Sequence, residues 1–312
     1  MKYRVLGSVA AAAIIAFAQP VTYLAQAGKA GDILAAARKA IGAGKLDALK
    51  TFSAQCDVQR NVGGMQLSAE VEILLELPDK YARVETLNGG PGMMISGGGA
   101  TGFNGDRVLQ KIGAGPGAGG MIIRMGGGGG SLPPAEKPTP EQLEQMTAAA
   151  LKSSRGDASR LMLGWFAMAH PIVHAEYTYL GEAESVEGKA YVIDVKSADG
   201  LAARLFIDQQ TSLPLMITYK GSAPRVVNQS VSTQGGHVVT QGADPKTIEL
   251  QRQPATADYT VYFEDWRGAE GVKFPFKMRR SMDGTTVEEW SVSKIKVNPK
   301  IDPKKFAVES GS

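Results

Sequence analysis

Few residues of this chain have the types and spacing that catalysis or metal binding requires. His170 and His174 are four residues apart with Glu176 nearby, a spacing that places two metal ligands on one helical face. Pro171 lies between the histidines and disfavours that helix. We therefore expect a helix-to-strand junction with two polar imidazoles, and a metal site is the alternative. The chain contains neither a Gly-x-Ser-x-Gly nucleophile motif nor a Gly-Lys-Ser/Thr phosphate loop.

Three further candidates for chemistry also favour structural roles. The run 115–120 matches the dinucleotide pattern Gly-x-Gly-x-x-Gly, but no strand-turn-helix pattern surrounds it. Cys56 lies in a predicted strand among alternating apolar residues, which indicates a packed, inert thiol. Glu288 and Glu289 are adjacent on a predicted strand and point to opposite faces, so they cannot act as a pair. We predict no enzyme activity, no cofactor and no metal, with an exported hydrolase as a lesser alternative.

Composition narrows the function classes further. The chain has 312 residues, of which 43% are hydrophobic, so it can bury a sizeable core. Lys and Arg number 34 against 31 Asp and Glu, a net charge of +3 that is too balanced for a nucleic-acid partner. One cysteine cannot form an internal disulfide.

The N-terminus has the pattern of an export signal. A basic start precedes the apolar run Val5–Ala18, whose 14 residues are few for a membrane span but typical of a secretory signal core. Small residues permit cleavage after Ala18 or, as we prefer, after Ala27; an uncleaved anchor is the alternative. We predict a signal peptide over 1–27 and a single exported domain over 28–312. No cysteine stands at either cleavage site, so the protein is not predicted to be a lipoprotein, and in a host with two membranes it would be periplasmic.

The remaining pattern predicts mainly antiparallel β-structure behind one opening helix, capped by Asp32 and ending near Ala43. Along 66–77, apolar side chains alternate with glutamates, the pattern of a sheet with one buried face. The predicted strands are 51–60, 66–77, 80–87, a hairpin arm at 103–112 turning at Asn104-Gly105, four strands within 176–220, and then 258–266, 272–282 and 285–297. In the last strand the apolar positions change parity, which indicates a bulge.

Three segments interrupt this strand pattern. Residues 89–134 are so rich in glycine that we expect a mobile insertion, and 221–256 form a predicted irregular excursion with a hairpin around Gly235-Gly236. Thr139 and Pro140 predict a helix start, Arg155-Gly156-Asp157 a break, and 158–169 a helix that is apolar almost all round. Such a helix must be covered by the core or by a ligand.

Several short motifs carry a family resemblance. They are Tyr262 to Arg267 through Glu270 to Pro275, Lys296 to Asn298, Ile301 to Phe306, Val186 to Tyr191, Leu205 to Asp208, Thr211 to Pro214, Leu77 to Tyr81 and Asn104 to Asp106. In this order they resemble the outer-membrane lipoprotein carrier superfamily, the LolA/LolB-like proteins. The resemblance implies a mainly β (α+β) fold: a curved antiparallel sheet forming an unclosed β-barrel, with an N-terminal helix and an inserted helical lid over an apolar concavity.

The resemblance also implies a function. It indicates a non-catalytic lipid- or lipoprotein-binding carrier of the cell envelope that holds acyl chains, and that has a possible membrane-protein partner. The alternative is a periplasmic sensor that contacts a membrane-bound partner. The candidate ligand-binding residues are Leu75, Leu77, Trp165, Phe166, Met168, Phe263, Phe276 and Trp290, each with a dry core as the alternative role. Carriers of the family place an arginine before the proline of the early strand turn to latch the lid; this chain has Leu77 there, and Arg83 lies farther along.

Overall fold

The computed structural model describes residues 23–62, 65–88, 97–112, 139–185, 188–223, 231–234, 237–240 and 256–307. Its helices are α1 (Tyr23–Ile41), α2 (Gly44–Asp47) and α3 (Pro140–Phe166), and a 3-10 helix covers Pro303–Phe306. The strands are β1 (Thr51–Val62), β2 (Met65–Glu76), β3 (Lys80–Asn88), β4 (Gly97–Asn104), β5 (Arg107–Ile112), β6 (Ala175–Ser185), β7 (Gly188–Ser197), β8 (Ala202–Asp208), β9 (Pro214–Ser222), β10 (Val231–Gln234), β11 (His237–Thr240), β12 (Thr256–Ala269), β13 (Val272–Met282) and β14 (Thr285–Val297).

Twelve of the strands form one antiparallel sheet. Their order is β5-β4-β3-β2-β1-β14-β13-β12-β9-β8-β7-β6, and β10 and β11 form a separate hairpin. The chain therefore runs outward from β1 to β5, crosses through α3 to the opposite edge at β6, and returns to the centre at β14. Within the described strands β5 and β6 remain edges, so the sheet does not close. The predicted fold class, a curved antiparallel sheet with few helices, is confirmed.

The inner face of the sheet follows from side-chain alternation. Along β1, Phe52, Ala54, Cys56 and Val58 are buried, while the residues between them are more exposed. The predicted bulge in β14 is confirmed at Ser293, because Gln55 pairs with Lys294 and Cys56 with Val292.

The outer face of β2 contains one exception to its polar pattern. Leu74 lies among glutamates but is buried, because it packs with Ala82, Ala100 and Leu109 against Phe306 of the 3-10 helix. Lys305 donates a hydrogen bond to Glu72 beside this cluster, at 2.8 Å. The C-terminal segment thus covers a small second core on the convex side of the sheet.

The helix α3 is continuous, which corrects the predicted break at residues 155–157. Its start is as predicted: the Thr139 hydroxyl accepts from the Gln142 amide, and the Gln142 side chain accepts from the Thr139 amide. Gly156 at the predicted break is buried beside the Arg160 guanidinium. A glycine inside a helix costs about 1 kcal/mol relative to alanine, and burial of the surrounding turns outweighs that cost. The helix ends where Ala167 adopts a left-handed conformation.

The first helix also differs from its predicted start. It begins at Tyr23, so Asp32 lies within it and is not its N-cap. The predicted buried face is present, since Ile33, Leu34, Ala37 and Ile41 pack into the core against β6 and β13. The preferred cleavage position after Ala27 falls inside this helix, and residues 1–22 lie outside the described residues. Among the helices that the structure describes, none has the length and apolar character needed to cross a membrane.

The glycine-rich segment contributes regular structure in its described part. Strand β4 begins at Gly97, and β4 and β5 turn at the predicted Asn104-Gly105 corner. Gly102, with φ of 155°, lies so close to β3 that a Cβ there would be 2.0 Å from the Tyr81 carbonyl oxygen. Residues 89–96 and 113–138 lie outside the described residues, as do most of 221–256 apart from the β10–β11 hairpin.

Candidate ligand-binding cavity

A cavity of about 340 Å³ lies between α3 and the inner face of the sheet. It opens to solvent, and its walls come from α3, β1, β3, β4, β9, β12, β13 and β14. The lining residues are Arg60, Tyr81, Arg83, Glu85, Leu87, Gly98, Gly99, Thr101, Ser154, Asp157, Arg160, Leu161, Ile217, Tyr219, Val261, Phe263, Met278, Arg280, Glu288 and Trp290. This volume is near the lower end of the range of about 300–1,000 Å³ that is typical of ligand pockets.

One wall of the cavity is apolar. Ile217 and Val261 are directly paired across β9 and β12, and Phe263 follows at the next inward position of β12. Leu161 faces them from α3, and Met278 and Trp290 continue the wall on β13 and β14. Inward positions on neighbouring antiparallel strands lie side by side, so these side chains form one continuous surface.

A second wall of the cavity, which adjoins the apolar wall at Trp290, is charged. Arg60 donates from its Nη2 atom to Glu85 Oε2 at 2.8 Å and from its Nε atom to Glu288 Oε1 at 2.7 Å. Arg83 donates to Glu85 at 3.3 Å and lies over the Trp290 ring, 4.8 Å from its centroid. These groups come from three strands and form one inward-facing network.

Glu288 is the most buried acid of this network. Its Oε2 atom accepts from the Trp290 indole at 3.3 Å and from Arg280 at 3.5 Å. Burial alone would raise its pKa, but Arg83, Arg280 and Arg60 outweigh burial and lower the pKa to about 2. The pKa of Glu85 is lowered in the same way: burial opposes the charge, while Arg60 and Arg83 favour it. Both carboxylates are therefore ionised at neutral pH.

The structure divides the predicted ligand-binding residues into two groups. Phe263 and Trp290 line the cavity. Leu75, Trp165 and Phe166 are fully buried in the packed core, and Leu77, Met168 and Phe276 are half-buried against that core; none of these six lines the cavity.

The aromatic part of this core is closely packed. The Phe52 ring lies 5.7 Å from Trp165, 5.1 Å from Phe166 and 5.3 Å from Phe274, measured between ring centroids. Trp165 and Phe274 are 4.8 Å apart, and the Trp165 indole donates to Met278 Sδ at 3.0 Å. The apolar part of α3 is therefore covered by the protein's own side chains.

Sequence reasoning missed the charged wall. Arg60 follows the buried residues of β1 at the next inward-facing position. Arg83 and Glu85 occupy the two inward-facing positions of β3 that follow Tyr81. A charged residue at an inward position of a one-sided strand is the signal that could have revealed this wall. Arg83, which lies farther along the chain than the family's arginine position at Leu77, pairs with Glu85 on its own strand.

A polar contact also links α3 to the sheet, in addition to the aromatic packing at the end of the helix. Arg155 donates to the Gly105 carbonyl at 3.1 Å and to Asp106 Oδ1 at 2.6 Å, both in the β4–β5 turn. Its guanidinium carbon also lies 6.0 Å from the Phe103 ring centroid. Arg155 thus links the middle of the helix to a hairpin at the edge of the sheet.

The remaining candidates for chemistry have structural surroundings. His170 is buried in the junction between α3 and β6 with its ring 5.1 Å from Phe103, whereas His174 is exposed. The predicted helix-to-strand junction is confirmed. In the described part of the chain no group of three or more His, Cys, Asp or Glu could hold a metal ion. Burial raises the pKa of Cys56 to about 12, which keeps it a thiol at neutral pH.

Comparison with known proteins returned structures but no sequence matches. No family model matches the chain, and no curated protein does. Among solved structures, a LolA superfamily protein from Nitrosomonas europaea is 11% identical with a TM-score of 0.47, covering 89% of this chain and 97% of the other. An outer membrane lipoprotein-sorting protein domain from Vibrio parahaemolyticus is 10% identical with a TM-score of 0.43, covering 90% and 97%.

A third solved structure, a DUF1329 family protein from Desulfovibrio piger, is 9% identical with a TM-score of 0.45, covering 89% and 97%. At such identities the likeness concerns the fold alone.

Proposed function

We propose that this protein is an exported, non-catalytic carrier that binds the acyl chain of a lipid or lipoprotein in the cavity beneath α3. The observation that carries the proposal is the cavity itself, an open space of about 340 Å³ with a continuous apolar wall. Each CH₂ group that leaves water for such a wall contributes about 0.8 kcal/mol, so binding needs no reactive group. The cavity is small for a ligand site, which favours one hydrocarbon chain over several.

The proposal assigns different roles to the predicted site residues. Phe263 and Trp290 contact the ligand, and Trp165 and Phe166 anchor α3 to the core so that the helix can serve as a lid. Export rests on the N-terminal sequence pattern, which indicates a periplasmic location in a host with two membranes. The partners on this view are lipid or lipoprotein acyl chains and an envelope membrane protein that delivers or receives them.

A cavity-filling variant tests the proposal. Val261 points into the cavity, whereas its neighbour Tyr262 lies on the other face under Arg279, 4.3 Å from the guanidinium carbon. Val261→Trp should fill the space and weaken binding of a neutral fluorescent hydrocarbon probe by roughly tenfold or more, the loss of about two buried CH₂ groups. Tyr262→Trp is the matched control and should bind as the parent protein does.

Native ligand is examined by organic extraction. Protein purified from its own host and extracted with organic solvent should yield a species with an acyl chain, identified by mass spectrometry. Equal probe binding by the parent and Val261→Trp proteins, or no probe binding at all, would contradict the proposal.

A further inference from the structure

The cavity's charges do not balance. Its inner network contains three arginines, Arg60, Arg83 and Arg280, against two ionised glutamates, Glu85 and Glu288. The remaining charged pair of the lining, Arg160 and Asp157, is internally neutral with a contact of 2.7 Å. One positive charge in the cavity wall therefore lacks a matching acid among the described residues.

The excess charge belongs mainly to Arg280. Arg60 holds both glutamates through short contacts, whereas Arg280 reaches Glu288 only at 3.5 Å. The Nε atom of Arg280 is buried without a hydrogen-bond partner in the described structure. An unsatisfied buried donor is costly, and a guanidinium can donate to an oxyanion with two parallel bonds.

The surroundings of Arg280 hold it in place beside the apolar wall. Its guanidinium carbon lies 4.3 Å from the Tyr259 ring centroid, a cation–π contact that fixes the side chain without consuming its donors. It is two positions from Met278 on the same face of β13. A donor group thus stands at one end of a hydrocarbon-lined space.

We propose that the cavity selects an amphiphile with one hydrocarbon chain and an anionic head, a carboxylate or a phosphate, and that Arg280 binds the head. The inference rests on the proposed function for the chain half of the ligand and adds the head. An anion beside the Arg280 guanidinium would complete the charge balance of the cavity. Glu288 does not repel it strongly, since Arg60 and the Trp290 indole already satisfy that carboxylate.

Ligands that share a chain and differ in head test the proposal. Displacement of a neutral fluorescent probe at pH 7 is measured with dodecanoate, dodecyl phosphate and dodecanol, and with acetate and inorganic phosphate as heads without chains. We expect at least one of the two anionic amphiphiles to bind about tenfold or more tightly than dodecanol, the size of a charge-assisted hydrogen bond. Acetate and phosphate should displace little probe.

Two neighbouring arginines provide the matched variants. Arg280→Met should remove the preference for the anionic head, so that dodecanoate and dodecyl phosphate bind no more tightly than dodecanol does in the same variant. Arg279→Met changes the next residue, which faces outward and pairs with Glu264, and should keep the full preference. Arg280→Lys keeps the charge and loses the planar fork, so it should keep part of the preference.

The outcomes separate the two proposals. Equal binding of the anionic amphiphiles and dodecanol, or an unchanged preference in Arg280→Met, would overturn the head-group inference and leave the acyl-binding function standing. Displacement by free phosphate or acetate at the same concentration as by the amphiphiles would also overturn it, because the site would then bind anions without a chain. No binding of any chain would overturn both. If Arg280→Met does not fold, as judged by circular dichroism, the parent comparison and Arg280→Lys decide.

Discussion

The inner face of the sheet has two ends that are formed by the same strands. One end is packed with aromatic side chains, and the other borders the cavity. At one end of β1, Phe52 packs with Trp165 and Phe166 of α3 at ring distances of 5.1–5.7 Å. Eight residues along the same face, Arg60 lines the open cavity. On β13 the same change occurs between Phe274 in the aromatic core and Arg280 in the cavity wall.

The helix that covers both ends explains the difference. The last turn of α3 places two large aromatic side chains against the sheet, whereas its central turns present Ser154, Asp157 and Leu161 to the cavity. A close-packed interior requires that side chains fill the space between layers. The closed end is filled by α3, whereas the open end stays unfilled because the helix presents Ser154, Asp157, Arg160 and Leu161 there and no aromatic side chain.

Removing an aromatic side chain from the closed end should have the largest effect. We expect Trp165→Ala to lower the free energy of unfolding by about 3–5 kcal/mol, because the residue is fully buried and its removal leaves a cavity. Leu161→Ala at the open end should cost about 1–2 kcal/mol, since that side chain already borders empty space. Urea denaturation of both variants measures the difference, and equal losses would contradict the division of the face into two ends.

The two ends should also lose stability in different pH ranges. His170 at the closed end has a pKa that burial lowers from 6.5 to about 4, so the unfolded chain binds its proton first as the pH falls. Burial of the neutral imidazole therefore costs no proton above pH 6.5. As the pH falls from 6.5 to 4, the free energy of unfolding decreases by about 3 kcal/mol because the unfolded chain binds a proton that the folded protein does not. Glu288 at the cavity end has a lowered pKa, so its contribution is lost only between about pH 4.5 and 2.

A variant of the histidine separates these ranges. His170→Asn keeps an acceptor for the Ile172 amide, which donates to His170 Nδ1 at 3.4 Å, and removes the titration. Stability measured against pH should lose the slope that His170 contributes between pH 6.5 and 4 and keep the slope that Glu288 contributes below pH 4.5. A slope between pH 6.5 and 4 that is the same in the variant and the parent would exclude this role for His170.

A glycine on α3 lies at the border of the two ends. A Cβ at Gly164 would be 1.8 Å from the Phe263 ring, so Gly164→Ala must displace the ring from its place in the cavity wall. We expect a loss of about 1–3 kcal/mol from overpacking, together with weaker probe binding. Gly31→Ala in α1, where no atom lies within 4 Å, is the control and should stabilise the protein by about 0.5–1 kcal/mol. Unchanged melting temperature and binding in Gly164→Ala would argue against this close packing.

The sequence predicts the strands of the sheet much better than it predicts which inward-facing residues are packed in the core and which line the cavity. Alternation along β2 and turn residues such as Pro78-Asp79 and Asp283-Gly284 determine strands locally, and the structure confirms them. Whether Trp165 contacts a ligand or Phe52 depends on contacts between residues more than a hundred positions apart, which no local pattern encodes. The continuous course of α3 through Gly156 has the same cause, because tertiary burial overrides a weak local preference.

The smallest expected effect on stability concerns the link between α3 and the β4–β5 hairpin. Arg155 pairs with Asp106, whose side chain is 94% exposed, so Arg155→Met should lower the free energy of unfolding by only about 1 kcal/mol or less. Its effect should instead be local: hydrogen exchange in the β4–β5 turn and the central turns of α3 should speed up, while exchange around Trp165 stays as in the parent. Arg107→Met, at an exposed position of the same hairpin, is the control. Because α3 covers both ends, faster exchange over the cavity alone would mean that the helix opens from its middle while its aromatic end stays packed. Equal exchange rates in Arg155→Met and Arg107→Met would show that Arg155 does not hold the helix to the hairpin.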